Sequence, residues 1–113
     1  MDRDELEFTV AVEGGADGSV VAPRGELDMA TQDRLRAALE RQAARGAVTL
    51  DLSGLRFLDT SGLRLILETA EASRRDGFVF TVLPGIPAVQ RMFEVAGVTE
   101  LVPFGEGGEG GAP

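Results

Sequence analysis

AVTLDLSGLRFLDTSGLRLILE, residues 47–68, is the most informative stretch of this chain for its fold. Its first part is predominantly apolar, as in a buried strand, and its last part repeats apolar residues at helical spacing. Between the two lie Asp59, Thr60, Ser61 and Gly62, called the junction below, where two hydroxyl groups follow a carboxylate. The simplest interpretation is that Asp59 and Thr60 cap the helix. The alternative is that these polar groups face a partner.

Two strands are predicted before this stretch, joined as a hairpin. Residues 6–12 alternate in hydropathy, which is the period of a strand with one buried face. The residues on that face are Leu6, Phe8, Val10 and Val12. A glycine-rich turn over residues 13–19 leads to a second strand over residues 20–24. Pro23 indicates an edge strand or a bulge, because proline has no N–H for a ladder hydrogen bond.

Three helices are predicted from apolar spacings of three and four, each followed by a glycine. The first runs from Met29 to Arg45 with Asp28 as its N-cap. The second runs from Ser61 or Gly62 to Asp76, and the third has Pro87 in its first turn. The apolar face of the first helix comprises Leu35, Ala38, Leu39 and Gln42 or Ala43. That of the second comprises Leu63, Ile66, Leu67 and Ala70, and that of the third comprises Val89, Met92, Phe93 and Ala96.

The remaining strands complete an α/β fold. Residues 47–52 are predicted to be a strand covered on both faces, and residues 53–58 to carry the chain over the edge of the sheet. Residues 78–83 form a fourth strand, and residues 101–104 a brief last one. The hairpin followed by βαβαβα predicts a small mixed sheet with helices packed on it, since βαβ units require parallel neighbours.

The length of 113 residues fits one domain. We predict that this domain covers residues 1–104. Residues 105–113 are rich in glycine and lack apolar anchors, so they are predicted to be a disordered tail.

The composition excludes several kinds of chemistry. The chain has no cysteine and no histidine, so it offers neither a thiolate metal site nor a Ser-His-Asp nucleophile. Asp51 and Asp59 flank one connection, but without histidine, lysine or a metal cluster an acid–base enzyme is disfavoured. We therefore predict no catalytic residue, no metal and no cofactor, and a protein that is not an enzyme.

The charge also limits the partners. The formal net charge is −8, which disfavours nucleic acid and anionic membranes, because both are bound through positive charge. A basic protein partner is favoured instead. The acidic start of the chain does not resemble a signal peptide, and no apolar run is long enough to span a membrane. These features predict a cytoplasmic protein.

Two acidic segments are expected at the same edge of the sheet. Asp28 follows the second strand, and the junction follows the third strand after a short connection. If those strands are parallel neighbours, both segments emerge where open α/β sheets usually carry their sites. We predict a partner-binding surface made of Asp28 and the junction: Asp59, Thr60, Ser61 and Gly62.

Ser61 is suited to reversible modification. A helix N-terminus offers free N–H groups and a partial positive charge, so it tolerates a phosphate without melting. Phosphorylation of Ser61 is therefore expected to leave the fold intact and to change the surface that a partner meets.

Two segments resemble the STAS-domain anti-sigma factor antagonists. They are Gly25-Glu26-Leu27-Asp28 and residues 50–63, LDLSGLRFLDTSGL, and residues 89–101 are also similar to that family's last helix. The resemblance extends over residues 6–104. It implies a STAS-like fold and a protein that, unphosphorylated, binds an anti-sigma factor that is also a serine kinase, and so releases a sigma factor.

The resemblance also implies how the protein is switched. The kinase phosphorylates the serine before the junction glycine, here Ser61, with Thr60 as the fallback, and this weakens binding. A serine phosphatase restores it. ATP and Mg²⁺ belong to the kinase rather than to this chain. The alternative function is a STAS-domain subunit of another signalling or lipid-transport complex, or a binder of a small ligand.

Overall fold

The computed structural model describes residues 7–105 of the chain. The strands, in chain order, are β1 (Thr9–Gly15), β2 (Gly18–Leu27), β3 (Val48–Asp51), β4 (Leu55–Leu58) and β5 (Phe80–Leu83). The helices are α1 (Gln32–Ala43), α2 (Thr60–Asp76) and α3 (Pro87–Ala96), and a 3₁₀ turn follows at Thr99–Leu101.

The predicted hairpin is present, but its first strand lies three residues further along the chain than expected and its second strand is longer than expected. β1 and β2 pair antiparallel as far as Gly15 opposite Gly18, which leaves a turn of only two residues. The side chains of the predicted buried face are buried at Phe8, but their burial decreases along β1, because β1 is an outer strand of the sheet. Val12 is exposed, so its predicted burial is wrong. Leu6 lies outside the described residues.

The sheet has the strand order β1-β2-β3-β5, and β4 pairs with β2. β2 runs parallel to β3 through residues 19–21 and parallel to β4 through residues 25–27. β3 and β4 therefore lie end to end along one side of the longer β2. The expectation of a mixed sheet, formed by an antiparallel hairpin and parallel crossovers, is confirmed.

The segment predicted to leave the sheet returns to it instead. Leu55–Leu58 is a strand, so the expectation for residues 53–58 is wrong. A tight turn makes the return possible: the N–H of Leu55 donates to the carbonyl of Leu52 at 3.1 Å, and both side chains enter the core. Four residues show no clear periodicity, and their partner β2 is remote in sequence.

β2 is an interior strand, so the edge position inferred from Pro23 is also wrong. Pro23 lies in the part of β2 between its pairing with β3 and its pairing with β4. Neither the ladder to β3 nor the ladder to β4 needs a backbone N–H at this position, which explains why proline is tolerated. An irregularity does occur nearby, as a register shift between Gly25 and Glu26.

The helices cover one face of the sheet. Burial alternates along β3, where Val48 and Leu50 are buried while Thr49 and Asp51 are half-buried. The prediction that this strand is covered on both faces is therefore wrong. The core joins strand and helix residues: Phe8, Val21, Leu27, Leu35, Leu39, Val48, Leu50, Leu52, Leu55, Leu58, Leu63, Leu65, Ile66, Ala70, Phe80, Val82, Val89 and Phe93.

The helices largely follow the predicted bounds. α2 ends at Gly77, which is left-handed (φ 86°), and α3 has Pro87 in its first turn and ends at left-handed Gly97. The buried residues of α1 are the predicted Leu35, Ala38, Leu39 and Gln42. α1 starts three residues later than expected, because residues 28–31 form a separate turn.

The chain end differs slightly from expectation. The segment predicted as a last strand begins with the final residue of the 3₁₀ turn and forms only a single bridge, between Phe104 and Val82. The N–H of Gly105 donates to the carbonyl of Val82 at 2.8 Å. The rest of the predicted tail, residues 106–113, lies outside the described residues. Within residues 7–105, none of the helices has the length and hydropathy needed to cross a membrane.

Candidate functional site

β2 and β4 end side by side and deliver both acidic segments to one place. Leu27 is the register partner of Leu58, and the N–H of Asp59 donates to the carbonyl of Leu27 at 3.1 Å. Asp28 and Asp59 therefore follow directly from paired residues. The sequence predicted this juxtaposition, but the neighbour of β2 at this point is β4, the strand that sequence patterns did not reveal.

Asp59 caps α2. Its backbone is extended (φ −102°, ψ −175°), and its Oδ1 accepts the N–H of Gly62 at 3.0 Å. The same oxygen accepts the hydroxyl of Ser61 at 2.7 Å. The capping role expected of Asp59 is thus present. Thr60, the other expected cap, is the first residue of the helix, and its side chain is exposed.

The surroundings of Asp59 favour its charged form. Burial raises the pKa of this carboxyl, but hydrogen bonds lower it by more. They come from the Ser61 hydroxyl and from the backbone N–H groups of Gly62, Ser61 and Met29, and the net result is a pKa below the ordinary value of 3.8. Since Met29 belongs to the other segment, one carboxylate connects both halves of the surface.

Ser61 lies in the first turn of α2 and is half-buried. Its hydroxyl proton is directed to Asp59, so Ser61 Oγ and the carboxylate are in direct contact. A phosphoryl group on Oγ would take the place of that proton. The modification would therefore add negative charge and remove the hydrogen bond to Asp59 in one step.

Asp28 organises the turn that precedes α1, residues 28–31, called the Asp28 turn below. Its Oδ1 accepts the N–H groups of Ala30 and Thr31, at 3.0 and 3.1 Å. In return, Thr31 Oγ1 accepts the N–H of Asp28 at 3.0 Å, and its hydroxyl donates to the carbonyl of Glu26 at 2.8 Å. This reciprocal arrangement is that of a capping box, although the helix itself begins only at Gln32.

Gly62 contributes packing. It is buried, and a Cβ at this position would lie 2.7 Å from both Leu27 Cγ and Leu58 Cδ1. The absence of a side chain lets the first turn of α2 approach the ends of β2 and β4. Gly62 thus brings Ser61 close to the Asp28 turn and presents no group of its own.

Sequence reasoning missed two residues of this surface. Thr31 carries a signal that could have found it, because Asp-x-x-Thr has capping-box spacing. Met29 carries no such signal. It was predicted to lie in the first turn of a helix, whereas it is part of the Asp28 turn, and its side chain is 76% exposed.

The surface is suited to contact rather than to enclosing a substrate. In the part of the chain that the structure describes, no three acidic side chains converge as a metal site would require. A cavity of about 660 Å³ lies there as a groove between α1 and α2, lined by residues such as Leu39, Leu65 and Phe78. It includes neither the junction nor the Asp28 turn.

Comparison with known families agrees with this geometry. The family model described as "Mlab, STAS domain" matches residues 10–103. The anti-sigma F factor antagonist of Paenibacillus polymyxa is 30% identical over 88 residues, which is 75% of this chain and 75% of the relative.

Solved structures are similar as well. An anti-sigma factor antagonist from Mycobacterium paratuberculosis is 31% identical with a TM-score of 0.76, over 86% of this chain and 84% of that one. SpoIIAA in its unphosphorylated form has a TM-score of 0.69 at 20% identity, over 85% and 87%. The phosphorylated form of SpoIIAA from Bacillus has a TM-score of 0.63 at 19% identity, over 86% and 89%. At these identities SpoIIAA bears on the fold alone.

Proposed function

Since the chain belongs to the STAS-domain family of anti-sigma factor antagonists, we propose that it binds an anti-sigma factor and so releases a sigma factor. The unphosphorylated chain is the binding form, and phosphorylation of Ser61 weakens the complex. The observation that carries this proposal is the contact of the half-buried Ser61 hydroxyl with Asp59, at the point where the junction and the Asp28 turn meet.

Phosphorylation at this point changes the surface strongly and the fold little. The O–H bond of Ser61 is replaced by an O–P bond, which adds about 1.5 to 2 negative charges beside the Asp59 carboxylate. The cap bond from Gly62 to Asp59 does not involve the Ser61 hydroxyl, so α2 retains it. The free N–H groups of the first turn also offset part of the added charge.

The other components belong to the partners. The anti-sigma factor is a serine kinase that supplies ATP and Mg²⁺ and keeps the ADP, while a serine phosphatase hydrolyses the phosphoester. This chain acts as a regulatory binding module and not as an enzyme. Asp28 and Asp59 hold the two segments of the surface, and Thr60, which is exposed beside Ser61, is the fallback acceptor.

The proposal is tested by mixing the protein with candidate anti-sigma kinases from the same organism and ATP, then mapping the phosphorylated peptide by mass spectrometry. We expect a single phosphate on Ser61. Ser61→Ala should abolish the modification, and Thr60→Ala should not. Phosphate at any position outside Thr60 and Ser61, or none with any candidate kinase, would contradict the proposal.

The same kinases allow binding to be measured by calorimetric titration. Ser61→Ala should retain binding, because it adds no charge, and Ser61→Asp should weaken it. Ser53→Asp serves as the matched control, because it adds the same charge at an exposed serine outside the proposed surface and should leave the affinity unchanged. Equal affinities of Ser61→Ala and Ser61→Asp would show that charge at Ser61 does not control the complex.

A subunit role in another complex is the second candidate, because the matching family model is described by a different member, Mlab. The two functions differ in their partner. Co-purification of the tagged protein with a kinase that also holds a sigma factor supports the antagonist, whereas co-purification with a transport complex supports the subunit.

A further inference from the structure

In each of the two carboxylates of the proposed surface, one oxygen is occupied within the chain itself. Asp59 Oδ1 accepts both the Ser61 hydroxyl and the Gly62 N–H, and Asp28 Oδ1 accepts two backbone N–H groups of its own turn. A partner's arginine or lysine that competed for these oxygens would break bonds that hold the surface together. Through Oδ1 the two carboxylates therefore maintain the shape of the surface, and a partner that leaves these bonds intact gains contact energy from neighbouring groups as well.

Met29 is the large apolar group at this position. It is 76% exposed, at the tip of the Asp28 turn. Its backbone is held on both sides: the Asp28 carboxylate accepts the N–H groups of Ala30 and Thr31, and Asp28 itself follows Leu27, whose carbonyl accepts the Asp59 N–H. An exposed side chain on a fixed backbone loses little backbone entropy when a partner covers it.

We infer that Met29 is the principal apolar anchor through which this chain binds the anti-sigma factor, an inference that rests on the proposed function. The partner accordingly presents an apolar cleft beside the groups that face Ser61. Methionine suits this role because its flexible, polarisable side chain adapts to an irregular cleft. Burial of such a side chain at the centre of an interface is a common source of binding energy.

This anchor also explains why a phosphate on Ser61 would be effective. Asp59 links the two residues: its carboxylate accepts the Ser61 hydroxyl, and its N–H donates to the carbonyl of Leu27, two residues before Met29, at 3.1 Å. A partner that covers Met29 must therefore remove water from the space next to Ser61. A phosphate dianion resists that removal, since burying an unpaired charge is costly. The switch then acts by blocking the burial of Met29.

The test is a titration of the cognate anti-sigma kinase with four forms of the full chain: wild type, Met29→Ala, Met29→Leu and Val95→Ala. Val95 is the matched control, an apolar residue of α3 that is 78% exposed. We expect Met29→Ala to weaken binding about tenfold or more, in the range of interface hot spots. Met29→Leu should stay within about threefold of wild type, since volume and apolarity are retained, and Val95→Ala should not change the affinity.

Thermal unfolding of each variant separates binding from folding. Because Met29 is mostly exposed, all variants should unfold within a few degrees of wild type. If Met29→Ala binds as tightly as Val95→Ala while phosphorylation still weakens the wild type, the anchor is overturned and the proposed function stands. If the wild type binds no candidate kinase, the proposed function itself fails.

Discussion

Asp59 determines the local chemistry because one carboxylate serves three purposes. It caps α2 through Gly62, it receives the hydroxyl of Ser61, and it interacts with the backbone of Met29 in the Asp28 turn. These donors outweigh the effect of burial and lower the pKa of the carboxyl. A change at Ser61 is therefore a change in the environment of Asp59.

Removing the Ser61 hydroxyl should raise the pKa of Asp59. Ser61→Ala deletes a donor that favours the carboxylate, so the pKa moves up towards the ordinary value of 3.8, and the remaining backbone donors limit the rise. A titration followed by NMR at the Asp59 carboxyl carbon measures this shift. Thr60→Ala is the control, because the Ser61–Asp59 bond remains. An unchanged pKa in Ser61→Ala would show that the hydroxyl does not stabilise the charged form.

The same change should make stability depend less on pH. A carboxylate whose pKa is lower in the folded chain than in the unfolded chain stabilises the fold above the unfolded value of 3.8. That contribution is lost as pH falls through the folded pKa. The stability difference between wild type and Ser61→Ala should therefore be largest near neutral pH and shrink in acid. Denaturant unfolding at several pH values measures it.

At the scale of elements, the first turn of α2 rests directly on the ends of β2 and β4. This contact needs a residue without a side chain, because a Cβ on Gly62 would meet the side chains of Leu27 and Leu58. Helix propensity alone would favour alanine there by up to about 1 kcal/mol. The close approach places Ser61 beside the Asp28 turn, so the packing of this helix start defines the surface.

Gly62→Ala should destabilise the protein in spite of its better helix propensity. Overpacking a well-packed core typically costs about 1–3 kcal/mol, which should appear as a lower free energy of unfolding in denaturant. Gly15→Ala is the matched control, since no atom lies within 4 Å of a Cβ at that position. Its effect should stay within about 0.5 kcal/mol. A Gly62→Ala protein as stable as this control would show that the helix start can move away from the sheet.

At the scale of the whole molecule, the chain carries a net charge of −8. Such a charge acts over a longer range than any single contact and is screened by salt. The surface around Ser61 combines this overall field with an exposed apolar residue, Met29. Long-range attraction therefore acts while the partner approaches, and close contact acts once the complex has formed.

Salt should consequently slow association with the proposed anti-sigma factor partner and leave dissociation nearly unchanged. Steering by net charge affects the association rate, whereas apolar contact affects the dissociation rate. Stopped-flow or surface-binding kinetics at low and high ionic strength separate the two. An association rate that rises with salt would indicate a partner face of the same sign, and it would contradict a basic partner.

Local signals in the sequence were sufficient to predict the helices, most of the strands and the capped helix start at the junction. Apolar spacing and terminal glycines placed α2 and α3 closely, and Asp59 followed by Thr60 and Ser61 predicted a capped helix start. The absence of histidine and cysteine narrowed the possible chemistry, because composition limits the available side chains however the chain folds.

Tertiary contacts were needed to establish which strands meet and which side chains remain exposed. β4 has four residues, and its strand identity depends on pairing with β2, which is remote in sequence. The exposure of Met29 depends on a turn that is held by Asp28 and Thr31, and the position of that turn follows from the pairing of β2 with β4. Local patterns report what a segment can form, whereas burial and proximity arise from contacts between distant segments. For that reason the sequence predicted Ser61 and not the apolar residue beside it.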